Sequence, residues 1–447
     1  MMEIPVQKNK EYIVDIIDYG TNGEGIAKID GFTIFIKNAL KGEKCLIHIT
    51  KVLTTHAFAK LVNVIEKSVN REENIDCLTY KMCGGCTLRH IKYDETLKIK
   101  KEKVQNLANK MLKENIEVND TIGMENPYFY RNKAIYPVSK DKKIGIYKER
   151  SHDIIPIEEC KIQTILSQKI AKYVAKNWKS TIYDEKNNTG VLRNIMIREG
   201  FKTNEVMLVL VLSSSFKKEY LDIQKLLETF KEIKTIVANI NDKKTSVILS
   251  NINEIIYGSG FIYDNLDEFK FKISPNSFYQ VNPVQTIKIY KKAINEANLK
   301  KDDVLCDLYC GIGTIGIFAS KFVKKVYGIE IVKDAIKDAK ENAKINNVQN
   351  ISFIEGDVES AFNELLNKNI KPNVVIVDPP RKGLDNKTIE NLNNLKLDRL
   401  VYISCNPATL MRDLSLLEEN YQIKNITPID NFCYSSHVES VASLISK

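Results

Sequence analysis

At 447 residues the chain exceeds the roughly 100–200 residues usual for one domain, so two or three units are expected; apolar residues, 43% of the total, suffice for packed cores. The formal charge of +9, from 66 Lys+Arg against 57 Asp+Glu, is mildly basic: it admits a nucleic-acid partner without requiring one. There is no apolar signal core, and the longest apolar run, Val206 to Leu212, is far shorter than the roughly 20 residues that span a bilayer, so a soluble, cytoplasmic protein without a membrane partner is expected. In a reducing compartment nine cysteines do not make a disulfide framework, and clusters among them point to metal binding or catalysis.

From about Lys10 to Ile65, short β-rich runs at Tyr12–Ile16, Gly25–Ile29, Phe32–Ile36, Glu43–Ile47 and Phe58–Val62 are separated by Gly, Asn and Asp turns. Five strands with interleaved lysines fit an OB-like barrel, either an RNA-binding module or a cap without a ligand. Cys77, Cys83 and Cys86 follow as C-x5-C-G-G-C, with Cys160 the obvious fourth thiol. Four thiolates without a histidine permit an iron–sulfur cluster or structural zinc, and the residues alone do not choose. From Tyr93 to about Ile116, apolar residues recur at helical spacing, which predicts one long amphipathic helix. Residues from about Asn126 to Tyr263 read as a mixed α+β region. In it Arg131, Lys133, Lys148 and Arg150 lie among Tyr128, Phe129, Tyr130 and Tyr147, which suits either phosphate contact with base stacking or a solvated charged face.

The remainder predicts a doubly wound parallel sheet with strands at Val304–Tyr309, Lys325–Glu330, Ile351–Glu355, Val374–Asp378, Leu400–Ser404, Gln422–Thr427 and His437–Leu444. The first strand runs into Tyr309-Cys310-Gly311-Ile312-Gly313-Thr314, where Gly311 and Gly313 allow a tight turn and close approach of a ligand to the backbone. Glu330, ending the second strand, is placed for ribose hydroxyls; Asp357, just past the third, suits an adenine edge; the fourth ends in Asp378-Pro379-Pro380-Arg381. Together these favour S-adenosylmethionine over a dinucleotide. Cys405, in Ser404-Cys405-Asn406-Pro407, and Glu439, in Val438-Glu439-Ser440, supply a nucleophile and a base beside that pocket.

With these motifs and Ser277-Phe278-Tyr279-Gln280-Val281-Asn282, the chain resembles, nearly end to end, the bacterial RNA uracil-5 methyltransferase family. The resemblance implies a TRAM-type barrel over 1–65, a middle domain over 66–262 carrying a [4Fe-4S] cluster on Cys77, Cys83, Cys86 and Cys160, and a Rossmann-like catalytic domain over 263–447 against which helix 93–116 packs. It implies that Gln280, Tyr309, Gly311, Gly313, Glu330, Asp357 and Asp378 contact S-adenosylmethionine, with Thr314 standing where some relatives carry Asn. Cys405 matches the nucleophile and Glu439 the base, with Asp378 holding the uracil edge or orienting Cys405. The full cysteine quartet favours 23S ribosomal RNA as substrate, with the transfer RNA T-loop as the alternative and no DNA expected. The rival readings are a non-enzymatic iron–sulfur RNA-binding protein and a small-molecule methyltransferase.

Overall fold

The structure, a computed structural model, describes residues 4–149, 151–395 and 397–447; Arg150 of the basic and aromatic run lies outside them. The chain starts with a six-stranded barrel: β1 (Glu11–Asp15), β2 (Asp18–Tyr19), β3 (Gly25–Ile29), β4 (Phe32–Lys37), β5 (Lys44–Val52) and β6 (His56–Glu66), ordered β1-β5-β6-β4-β3-β2. Alternation drives it. Ile34, Ile36, Ile47, Ile49, Ala57 and Ala59 point inward to a closed apolar core while their neighbours face out. Three features differ from the sequence reading: β2 is an additional two-residue strand, β5 spans nine residues rather than five, and β6 spans eleven rather than five.

Helix α1 (Tyr93–Met111) carries Asp94 and Glu95 in its first turn, where they complement the helix dipole. It ends before the predicted Ile116 because the backbone N–H groups of Lys113 and Glu114 turn to the buried carboxylate of Glu418. Val104 and Ala108 pack into the same apolar cluster as Leu410, Met411 and Leu414. One turn earlier on the same face of α1 the ammonium of Lys100, fully buried, pairs with fully buried Asp430 and donates to the carbonyl of Phe432 at 3.0 Å.

A five-stranded sheet follows, built from β7 (Lys133–Pro137), β10 (Leu192–Glu199), β11 (Val206–Leu212), β12 (Ile233–Ile240) and β13 (Asn253–Tyr257) in the order β13-β12-β11-β10-β7. Its satellites are the small pair β8 (Gly145–Tyr147) and β9 (Ile154–Pro156) and helices α2 (Ile165–Asn177) and α3 (Ile223–Thr229). The hairpin β14 (Ile262–Leu266) and β15 (Phe269–Ile273) leads through the loop 274–282 into α4 (Pro283–Ala297).

The last sheet has seven strands: β16 (Val304–Leu308), β17 (Lys325–Glu330), β18 (Ile351–Glu355), β19 (Val374–Val377), β20 (Arg399–Ser404), β21 (Tyr421–Ile429) and β22 (Glu439–Ser446). Helices α5 (Thr314–Ala319), α6 (Lys333–Ile345), α7 (Val358–Asn367), α8 (Asn386–Asn394) and α9 (Pro407–Leu417) connect them. The order is β18-β17-β16-β19-β20-β22-β21, and β22 runs antiparallel to both neighbours. The sheet is therefore not wholly parallel, as the sequence had suggested. A short connection from β21 returns the chain directly between β20 and β21, which only an antiparallel strand can do. Among the described residues no helix is long and apolar enough to cross a membrane.

Candidate active site

The antiparallel register of β20 and β22 pairs Ser404 with Ser440; continuing it one residue outward sets Cys405 opposite Glu439. Cys405 lies in the turn between β20 and α9, whose N-cap is Asn406: its side chain accepts the N–H of Ala408, and Pro407 occupies the first helical turn. The same Asn406 donates to the carbonyl of Arg381 at 3.2 Å, tying the turn to the Asp378-Pro379-Pro380-Arg381 segment that follows β19. Three sheet ends thus bring Cys405, Glu439 and Asp378 to one place.

The electrostatics of this place are those of a dry, acidic pocket. Burial, then the neighbouring Asp378, pushes the Glu439 carboxyl up to about 8; burial pushes Asp378 up to about 7. The Cys405 thiol is driven up to about 11 by burial and by Glu439 and Asp378, with Arg381 opposing. A third carboxyl was missed in the sequence reading. Asp307, fully buried at the end of β16, accepts the N–H of Gly316 at 2.8 Å on one oxygen, has no partner for the other, and is raised to about 8, chiefly by burial. Its position ahead of the glycine turn was the available signal. An acid whose value is raised on folding leaves the native state more protonated than the unfolded chain, so its ionisation opposes folding. Stability of the ligand-free protein is expected to fall as pH rises from about 5 to 9, and Glu439→Gln to flatten that fall; equal slopes in thermal melts of the two proteins would contradict it.

The glycine turn lies at the ends of β16 and β17. Tyr309 is half-buried in left-handed backbone (φ 63°), a strained conformation for a non-glycine residue and one that clusters at binding sites. Gly313, also left-handed, caps α5, and a Cβ there would come within 2.9 Å of Phe353. Thr314 exchanges a 3.0 Å hydrogen bond with the buried Tyr290 of α4. Glu330 accepts the N–H groups of Gly311 and Val332, and exposed Ile331 beside it offers an apolar flat that the sequence reading overlooked. The backbone carbonyl of Gln280 is fixed by the Asn132 amide at 3.0 Å. Asp357 is arranged differently: its exposed carboxylate is engaged by the N–H and hydroxyl of Ser360 in the first turn of α7.

The four cysteines Cys77, Cys83, Cys86 and Cys160 are free thiols, and all line one small cavity of about 40 Å³, together with Arg89. Among the described residues no three His, Cys, Asp or Glu side chains converge as a site for a single metal ion. Arg89, whose Nε and Nη1 are buried without partners, stacks over Tyr128 and Tyr434, the latter five residues before Glu439. Of the aromatic run, Tyr130 is core: its hydroxyl bonds the carbonyl of Cys433, and it is not available to stack a base.

Comparison with known proteins fits this geometry. Residues 92–447 match the family described as tRNA (Uracil-5-)-methyltransferase, and residues 5–62 match the TRAM domain. The chain belongs to the RNA uracil-5 methyltransferase family. An uncharacterized RNA methyltransferase of Clostridium acetobutylicum is 45% identical across 98% of this chain and 97% of its own length; one from Staphylococcus aureus is 41% identical across 98% of both. Among solved structures, the tRNA (uracil-54, C5)-methyltransferase of Pyrococcus abyssi in complex with S-adenosyl-L-homocysteine superposes with a TM-score of 0.79 at 27% identity, covering 97% of this chain and all of that one. For a uracil-5 methyltransferase, a thiol facing a carboxylate at the end of the sheet is the chemically informative feature.

Proposed function

We propose that this methyltransferase transfers the methyl group of S-adenosylmethionine to carbon 5 of a specific uridine in RNA through a covalent bond between Cys405 and carbon 6. The observation that carries this reading is the β20–β22 register, which sets a thiol opposite a carboxyl. In this reading Gln280, Tyr309, Gly311, Gly313, Thr314, Glu330 and Asp378 line the cofactor pocket, with Asp357 contributing an adenine contact once its capping bonds to Ser360 loosen. When bound, S-adenosylmethionine supplies an electrophilic methyl group and a positive charge beside the acids. Beside that charge the ionised forms of Cys405 and Glu439 are favoured over the neutral forms that burial imposes. The Cys405 thiolate then adds to carbon 6, so that electron density moves to carbon 5 and makes that carbon nucleophilic. After methyl transfer Glu439 removes the carbon 5 proton, the 5,6 double bond re-forms and the Cys405 thiolate leaves. Asp378 holds the uracil edge. Such an approach needs the target base out of its stack.

For the RNA itself, the four-cysteine set supports 23S ribosomal RNA, whereas the full-length likeness to the Pyrococcus abyssi enzyme supports a transfer RNA. We favour ribosomal RNA. Mapping of 5-methyluridine by mass spectrometry in RNA from cells with and without the gene decides: a missing methyl in 23S RNA is expected, and one missing only in transfer RNA overturns the choice.

Four thiols lining one cavity beside Arg89, two of whose buried nitrogens have no partner, are a donor set of the kind that suits an anionic metal–sulfur group. Cys77, Cys83, Cys86 and Cys160 would hold a [4Fe-4S] cluster there, linking Cys160 to the Cys77–Cys86 loop. Anaerobically purified protein is expected to be brown, with iron and acid-labile sulfide, and Cys83→Ser to lose both and to melt at lower temperature. Colourless protein with stoichiometric zinc contradicts the cluster.

A further inference from the structure

Three cations gather where the five-stranded sheet meets the loop 274–282, and nothing in the catalytic scheme uses them. Arg198 of β10 and Lys133 of β7 are direct partners in the antiparallel register, so their side chains emerge on the same face. Like charges directly opposite one another on a sheet are destabilising. Arg131, two residues before Lys133, adds to the charge that Lys133 experiences, and burial together with Arg198 and Arg131 brings the Lys133 ammonium down to about 8. Among the described residues none of the three makes an ion pair. Arg198 is 4% exposed; its Nη2 donates to the carbonyls of Pro275 and Ser277, and its Nε is buried with no partner. The neighbouring Glu199 does not neutralise them: it is bonded to Thr164, and successive strand residues face opposite sides of the sheet.

Two carbonyls offset part of the cost of burying Arg198, but three cations side by side with one idle donor leave a remainder that an incoming anion would offset. The place of the cluster identifies the anion. Arg198 holds the carbonyl of Ser277, and Asn132, between Arg131 and Lys133, grips the backbone of Gln280 and Val281, the loop beside the methyl-transfer pocket. We infer that Arg131, Lys133 and Arg198 form a cradle for one or two backbone phosphates of the RNA beside the target uridine; this deepens, and rests on, the RNA-methylation reading above. The forked guanidinium groups and the lysine point charge suit phosphate oxygens, and their attachment to the Gln280 loop lets phosphate binding register the nucleotide against the cofactor.

The competing anion is the carboxylate of the cofactor's methionine moiety, and salt dependence separates the two. With a short unstructured uridine-rich RNA as probe, Lys133→Gln and Arg131→Gln are each expected to weaken binding by about tenfold. Each should also reduce the slope of log affinity against log salt by about 0.7, the loss of one single-strand phosphate contact. S-adenosylhomocysteine affinity should stay at the parent value. An unchanged salt slope overturns the cradle, and so does a loss confined to S-adenosylhomocysteine binding. Amine acylation of the unmodified protein gives a test that no folding defect can confuse: RNA is expected to protect Lys133, and equal labelling with and without RNA overturns the proposal. Neither readout uses methyl transfer, so a chain that bound RNA through these cations but methylated none would sink the proposed function and leave the cradle standing.

Discussion

Glu439→Gln is expected to leave a covalent, methylated RNA–protein adduct that survives denaturing electrophoresis, because addition and methyl transfer precede the step that needs a base. Loss of a positioned general base costs roughly 10²–10⁴-fold in rate, and here the cost falls on release. The Gln side chain keeps the shape of Glu439 in a pocket where the carboxyl is already pushed up to about 8, so the fold should tolerate it. Cys405→Ala is expected to form no adduct and to lower methylation by at least about 10⁴-fold, since without the thiolate carbon 5 is not activated. Retained S-adenosylhomocysteine binding in both variants is the control. Normal turnover by Glu439→Gln, or carbon 5 methylation by Cys405→Ala, would falsify the assignment.

The second large effect is structural. Asp430, fully buried in the connection just past β21, lies nine residues before Glu439 and receives both the Lys100 ammonium and, at 2.6 Å, the hydroxyl of Tyr93. Its own carbonyl accepts from Gln285 of α4, and the adjacent Asn431 carbonyl accepts from Asn282. Asp430→Ala strands a buried lysine and is expected to cost about 3–5 kcal/mol of stability, measured by denaturant unfolding. Replacing both members, Lys100→Met with Asp430→Leu, removes the uncompensated charge and should recover most of that loss. A single variant as stable as the parent, or a double variant no better than the single, shows that the pair does not hold α1 to the segment preceding Glu439.

Much of this protein was readable from local pattern. Alternating apolar residues announced the barrel strands, and the glycines after Leu308 announced a ligand turn, because only particular residue types accept those conformations. The identities of Cys405, Glu439 and the four clustered cysteines were likewise legible, since few residue types can act as nucleophile, base or soft metal ligand. Their chemistry is carried by the side chain itself. What sequence could not supply was anything set by pairing across long separations in the chain. The antiparallel insertion of β22 decides that Cys405 faces Glu439, and the β7–β10 register decides that Lys133 faces Arg198, sixty-odd residues away; neither is encoded in a local run. The capping use of Asp357, the early end of α1 at Glu418 and the idle oxygen of buried Asp307 have the same origin. Hydrogen-bond partners and burial are properties of the packed whole, so tertiary structure alone determined which charges are paired and which acids are raised.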